Sequence, residues 1–191
     1  MKGTIMTTSA VAARAYIIDP AHSSAHFSVR HLMISKVRGT FKISSGSIQL
    51  PADSPIPVAV SAEIDATSVD TRDEQRNGHL KSADFFEVEK FPLLRFTSTQ
   101  VEIVDQTKFK VVGELELHGV KQKVTLDAEV AGQGKDQWGN DRVAFEATAR
   151  ISRKDFGLVW NQALEAGGVA VGDQIDITLD VESIPAPAPA A

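Results

Sequence analysis

The sequence predicts an all-β fold: an antiparallel barrel of about eight strands, capped by short helical segments. Three observations carry this. Segment after segment alternates apolar and polar residues with the period of a strand. No strand–helix–strand rhythm interrupts them and most joins are short turns, so neighbouring strands should be antiparallel. A single long stretch, Val69 to Phe96, departs from the pattern. Long strands with one apolar face must bury that face, and a closed barrel does so without leaving sheet edges.

In order along the chain, Tyr16-Ile17-Ile18 is a short apolar strand stopped by Asp19-Pro20. Ser24 to His31 alternates, with Phe27, Val29 and His31 on one face. Leu32-Met33-Ile34 breaks the alternation, as a bulge or a helical turn would. Val37, Gly39, Phe41 and Ile43 share the next face, Ser44-Ser45-Gly46 reads as a turn, and Ile48 and Leu50 resume the pattern. Pro51 to Pro57 is a proline-rich loop, and Val58 to Ala66 a clean strand. Asp70 or Thr71 then suits a helix N-cap, and Gly78 a helix end. The charged stretch Arg72 to Ser82 delivers Phe85, Phe86 and Phe91 to one place. Leu94 to Ile103 is a strand with a bulge near Gln100. Phe109 to Leu117 is the cleanest strand in the chain, and His118-Gly119 a tight hairpin. Val124 to Val130 returns. Gly132 to Asp141 reads as a Gly-rich hairpin loop, Val143 to Ile151 as a strand, and Asn161 to Gly172 as a loop. Ile175 to Val181 closes the sheet. Inward-facing small residues (Gly39, Ala62, Ala66, Ser98, Gly113, Ala128, Ala147, Ala149) beside Phe and Leu suggest unfilled interior space; a plain core tapered by small residues is the alternative.

The 191 residues suit one domain. The expected organisation is a flexible N-terminus over 1–15, a barrel domain over 16–184 and a disordered Pro/Ala tail over 185–191. The absence of cysteine excludes disulfides, cysteine catalysis and thiolate metal sites. No apolar run is long enough for a membrane-spanning helix. The net charge of −5 argues against nonspecific nucleic-acid binding. Yet residues 1–50 carry six Lys or Arg (Lys2, Arg14, Arg30, Lys36, Arg38, Lys42) against the single acid Asp19. That imbalance reads as a solvated basic face, with a patch for an anionic surface as the functional alternative. The apolar part of residues 1–15 is too short for a signal peptide, so the expected location is cytoplasmic, with periplasmic or secreted as the alternative.

Candidate chemistry is sparse. His22 and His26, four apart on extended chain, stand about 13 Å from one another and cannot share a metal. His31 falls on an apolar face and needs a partner there. No carboxylate pair sits on an apolar face. No nucleotide-binding glycine pattern or nucleophile motif occurs. The aromatics say more: Phe85, Phe86 and Phe91 on one irregular stretch, Phe156 and Trp160 on another, would form an apolar mouth if both stretches cap the same barrel end; a satellite core under a loop is the alternative.

Several stretches together carry a resemblance: Ile18-Asp19-Pro20-Ala21-His22-Ser23 with Phe27 to Leu32; Asp70-Thr71-Arg72 through Arg76-Asn77-Gly78-His79-Leu80-Lys81-Ser82-Ala83-Asp84-Phe85-Phe86; Phe91-Pro92 with Phe96; Gly113 to Lys121; and Ser152-Arg153-Lys154-Asp155-Phe156-Gly157. The chain, from about Tyr16 to Ile184, resembles the YceI-like family of bacterial lipocalin-like proteins. The resemblance implies an elongated lipocalin-like antiparallel eight-stranded β-barrel whose apolar cavity binds a long polyisoprenoid or isoprenoid quinone. It supplies no catalytic residues. Many members carry an export signal, and this chain departs from that. The expected function is therefore a non-catalytic carrier, with no metal and no cofactor beyond the bound isoprenoid. The expected tail contacts are Phe27, Val29, Phe41, Ile64, Phe96, Leu115, Leu126 and Phe145 inside the barrel, with Leu80, Phe85, Phe86, Phe156, Leu158 and Trp160 around the mouth. The expected head-group contacts are His31, Arg72, Asn77 and His79. The alternatives are an enzyme acting on a quinone or lipid head group, and a stress-related scaffold barrel with a filled core. An apolar lipid is the expected partner; transient membrane contact and a homodimer stay open.

Overall fold

In the computed structural model, which describes residues 13–165 and 167–187, period-two alternation resolves into nine strands. They are β1 (Arg14–Ile18), β2 (Ser24–His31), β3 (Ser35–Leu50), β4 (Ala59–Asp70), β5 (Leu93–Ile103), β6 (Lys108–Leu117), β7 (Val120–Lys135), β8 (Asp141–Ser152) and β9 (Val171–Pro185). One helix, α1 (Glu74–Lys81), follows β4, and a 3-10 turn, Arg153–Phe156, follows β8.

Nine strands occupy eight positions. β1 and β2 run in the same direction, and both pair antiparallel with β3 on one side and β9 on the other. They are two halves of one staggered strand, broken at Asp19-Pro20 because proline cannot donate to a ladder. Across the break Asp19 N–H donates to the Glu182 carbonyl, and the Ser23 hydroxyl accepts from Glu182 N–H, so the β9 backbone stays satisfied. The other strands pair in chain order from β3 to β9. The sheet is a closed antiparallel eight-strand barrel without an edge.

The β4–α1–β5 segment, the β6–β7 hairpin, the Arg153–Phe156 turn and the β2–β3 hairpin all lie at one end of the barrel. The 51–58 loop, the β5–β6 and β7–β8 turns and the strand ends Arg14 and Pro185 lie at the other. The His118-Gly119 hairpin has both residues left-handed (φ 53° and 72°), as a two-residue turn matched to strand twist requires. The β5–β6 register shifts between Ser98 and Gln100, where the sequence places a bulge.

Several expectations are corrected. Ser44-Ser45-Gly46 is no turn: β3 runs through it with a register shift against β4. Gly46 is small because Ile18 and the Ser61 carbonyl occupy the place of its missing side chain. Leu32-Met33-Ile34 is neither bulge nor helical turn but the tip of the β2–β3 hairpin, with Leu32 and Met33 left-handed (φ 52° and 64°). The helix cap is Asp73, whose carboxylate accepts from Arg76 N–H, and not Asp70 or Thr71. Gly78 sits inside α1 without ending it. β7 continues through Gly132 and Gly134 to Lys135, so the hairpin turn is only 136–140. Pro185 closes β9 opposite Tyr16 and is not part of a loose tail. The expected flexible residues 1–12 and the tail beyond 187 lie outside the described residues.

Candidate ligand cavity

The inward faces of the strands do not meet at the barrel axis. They leave a cavity of about 220 Å3, which reaches from Ile18, Ile48, Pro57 and Phe109 toward one end to Leu80, Phe85, Phe156 and Leu158 at the other. From Phe109 to Leu117, both on its wall, β6 runs about 27 Å. Every residue on the wall except His26 and Arg153 is apolar. Water there would find almost no hydrogen-bond partners, so an apolar occupant is favoured over water.

Thirteen of the fourteen expected tail contacts are on this wall: Phe27, Val29, Phe41, Ile64, Leu80, Phe85, Phe86, Phe96, Leu115, Leu126, Phe145, Phe156 and Leu158. Trp160 stands just behind it, its ring 5.4 Å from that of Phe85. Of the small residues expected to leave space, Ala66, Ser98 and Ala149 do not line the cavity, and the rest are of two kinds. Ala62, Ala128 and Ala147 line the cavity and do leave space. Gly39 and Gly113 do not: a Cβ at Gly39 would lie 2.6 Å from a Phe27 ring carbon, and one at Gly113 2.5 Å from the Phe96 ring and from the Thr97 carbonyl. These glycines seat the rings that form the wall.

The two aromatic stretches do cap one barrel end, but Phe91, expected with Phe85 and Phe86, packs instead against His118 and Gly119 of the β6–β7 hairpin and is not on the wall. The His79 ring lies edge-on to Trp160 and Phe85, with centroids 4.7 and 5.1 Å away, so the β4–β5 segment and the 157–170 loop meet there. Phe41 joins Phe27 to Phe86 through contacts of 5.3 Å each. α1 has no buried residue of its own. Leu80 packs against the core, and polar bonds hold the rest: Asn77 Oδ1 accepts from both the backbone and the hydroxyl of buried Thr71, its amide donates to Asp70, and the Arg76 guanidinium donates to the Thr71 hydroxyl and carbonyl. Backbone and Asn77 donors hold the Asp70 carboxyl below the usual carboxylate range.

The four expected head-group residues are not brought together, and none lies on the cavity wall. Asn77 is consumed by the bonds that hold α1. Arg72 and His31 lie away from the apolar wall; His31 is half-buried, and Arg72 lines an outer groove with Lys36, Arg38 and Asp70. His79 alone adjoins the mouth aromatics, with Nε2 2.9 Å from Asp84 Oδ2.

The residue that sequence reasoning missed is Arg153. It is 4% exposed and touches the cavity, yet it spends its donors away from it. Nε donates to the Gly172 carbonyl, Nη1 to those of Leu158 and Trp160, and Nη2 approaches Val171 O and Asp173. Burial pulls its pKa down and Asp173 opposes that. One guanidinium thus ties the 157–170 loop to β9. Outside the barrel, Asp19, His22 and Glu182 come within ligating reach of one another. Arg142 already supplies their cation, donating to Asp19 and Glu182 at 2.7 and 2.9 Å.

A family model described as the YceI-like domain matches residues 16–183. The chain belongs to the YceI-like family. Protein YceI of Escherichia coli O157:H7 is 39% identical over 178 residues, covering 92% of this chain and 89% of that protein. The crystal structure of the Campylobacter jejuni YceI protein superposes with a TM-score of 0.71 at 31% identity, covering 83% of this chain and 90% of that one. A polyisoprenoid binding domain from Saccharophagus degradans, implicated in plant cell wall breakdown, superposes at 0.66 and covers 91% and 99% of the two chains; at 18% identity the likeness is one of fold.

Proposed function

We propose that this YceI-like protein is a non-catalytic carrier that holds the apolar chain of an isoprenoid, a polyisoprenoid or an isoprenoid quinone, along the barrel axis. The observation that supports this is the apolar wall running most of the length of the barrel. A long narrow hydrocarbon suits such a slot, and its burial contributes about 25 cal/mol per Å2 less the lost chain freedom. The polyisoprenoid binding domain from Saccharophagus degradans has the same fold. His79, beside Trp160 at the mouth, is the residue proposed to meet the polar head. Among the described residues the wall carries one side chain with a fixed charge, Arg153, and it is committed to carbonyls, which favours binding over turnover.

The test is mass spectrometry of an organic extract of freshly purified protein, set beside its native mass. A stoichiometric isoprenoid in the wild type, absent from an Ala147→Trp variant that still folds, is the expected result. A wild type that is empty and takes up no added isoprenoid would overturn the proposal and favour a scaffold with no ligand.

A further inference from the structure

The hairpin between β2 and β3 carries two features that the barrel does not need. Its tip exposes three successive apolar side chains, Leu32, Met33 and Ile34, at 38%, 57% and 80%. Leu32 and Met33 hold left-handed backbone, which crowds a large side chain against its own carbonyl. Polar or glycine residues would make this turn at lower cost and in better contact with water. Just below the tip, Arg30 and Lys36 stand directly opposite one another across the two strands, an arrangement that repulsion disfavours. Arg38 follows on β3, and it lines the outer groove with Lys36 and Arg72.

The charges around this tip are unbalanced. Lys36 is paired with Asp176, which Arg150 also holds. Asp70 is occupied by the backbone of Arg72 and by Asn77. Asp173 is held by Lys154 and Arg153. Among the described residues no ion pair is formed by Arg30, Arg38 or Arg72, and the exposed acid on the neighbouring loop is Glu165.

The tip also adjoins the mouth. Leu32 N–H donates to the Ala170 carbonyl, and Met33 lies against Gly168, so the hairpin is seated on the loop that carries Trp160. Val159, on the same loop, is 65% exposed. The far end of the barrel shows apolar residues too, but there the neighbouring charges are acidic or already paired. Ile103 and Val104 stand between Glu102 and Asp105, and Trp138 between Asp136 and Asp141, which Arg142 and Lys135 pair.

We propose that the Leu32-Met33-Ile34 tip and the basic collar of Arg30, Lys36, Arg38 and Arg72 dock the mouth end of the barrel onto an anionic lipid bilayer. The apolar tip enters the interface, and the arginines meet the lipid phosphates. Each basic side chain near such a surface adds about fivefold to partitioning. Docking sets the mouth against the phase in which an isoprenoid would dissolve. The proposal does not rest on the carrier reading, because the tip is not part of the cavity wall.

The experiment is flotation of the full chain with phosphatidylcholine vesicles, with and without phosphatidylglycerol, at low and high salt. Binding should require phosphatidylglycerol and weaken with salt. A Met33→Glu/Ile34→Glu variant should lose at least about tenfold in binding, and Arg30→Gln/Arg38→Gln about 25-fold. Both should retain the thermal stability and the bound ligand of the wild type, which separates failed docking from an empty barrel. The two tryptophans report orientation. With brominated phosphatidylglycerol, Trp160 in a Trp138→Phe variant should be quenched, and Trp138 in a Trp160→Phe variant should not. Equal binding to neutral vesicles, quenching of Trp138 or no vesicle binding would overturn the proposal. A dimer that Met33→Glu/Ile34→Glu dissolves, with no vesicle binding, would overturn it and make the tip an interface between copies of this chain.

Discussion

Gly39 and Gly113 look alike in the sequence, as lone glycines in large-residue strands, but the structure separates them. A Cβ at Gly113 meets the Thr97 carbonyl as well as the Phe96 ring, so backbone has to move. The atoms nearest a Cβ at Gly39 belong to side chains, the Phe27 ring and the Thr71 methyl, and the ring can swing into the cavity. Gly113→Ala is therefore expected to lower stability by about 1–3 kcal/mol, as overpacking does, with any ligand uptake unchanged in the protein that folds. Gly39→Ala is expected to keep more of its stability and to lose ligand uptake as Phe27 narrows the slot. Urea midpoints beside uptake of an added isoprenoid check both; the reverse pattern would mean that the rings do not define the wall. Arg153 teaches a related lesson. Within Ser152-Arg153-Lys154-Asp155 it reads as one surface charge among several, and only the carbonyls of Leu158, Trp160 and Gly172 reveal it as buried. No local pattern records those partners, because the 157–170 loop and the start of β9 that supply them are brought there by tertiary contacts.

At the scale of elements, the end away from the mouth is held by charge. Arg142 on β8 donates to Asp19 after β1, to Asp136 in the β7–β8 turn and to Glu182 on β9. The Asp136 carboxyl is lowered to about 2, first by the Asn140 side chain and also by Arg142; Asp19 is lowered first by His22. A carboxylate whose folded pKa lies below its unfolded value near 3.9 adds stability that is complete above that value. The contribution fades as pH falls through the folded pKa. Arg142→Gln should thus be less stable than the wild type by a constant amount at neutral pH. The gap should shrink between about pH 4 and about pH 2. Urea midpoints across that range check it, and a gap that grows on acidification would show that the carboxylates do not carry the effect. The elements themselves were largely legible, because strands buried on one face must alternate. The misreadings have physical causes. Asp70 and Thr71 have the chemistry of caps but are spent on Asn77, and Gly46 serves a close approach of Ile18 where the sequence suggests a turn. Of the aromatic mouth, Phe85, Phe86, Phe156 and Trp160 were legible and the place of Phe91 was not; nor was the bracing of α1 by Asn77, one of the four residues expected at the head group.

Across the whole molecule, the closed barrel and its cavity work against one another. Closure through β1 and β2 removes every edge, but it also fixes a circumference that the inward side chains do not fill. Side chains around an empty apolar cavity forgo the contacts that close packing would give them, so a hydrocarbon chain in the slot should act as part of the core. Binding to the folded state alone stabilises by mass action, about 2.7 kcal/mol at a free ligand concentration a hundred times Kd. For a domain of this size that is about 5–10 °C in Tm. Protein stripped of lipid by organic extraction and refolded should melt that much lower than protein reloaded with an added isoprenoid quinone, and the difference should rise with ligand concentration. Ala147→Trp fills the slot with its own indole, so its Tm should not respond to ligand at all. The comparison distinguishes a slot that a chain completes from a barrel whose packing is already complete. In the latter, stripped and reloaded protein would melt together and Ala147→Trp would be destabilised by overpacking, whereas in the former the tryptophan occupies space that was open.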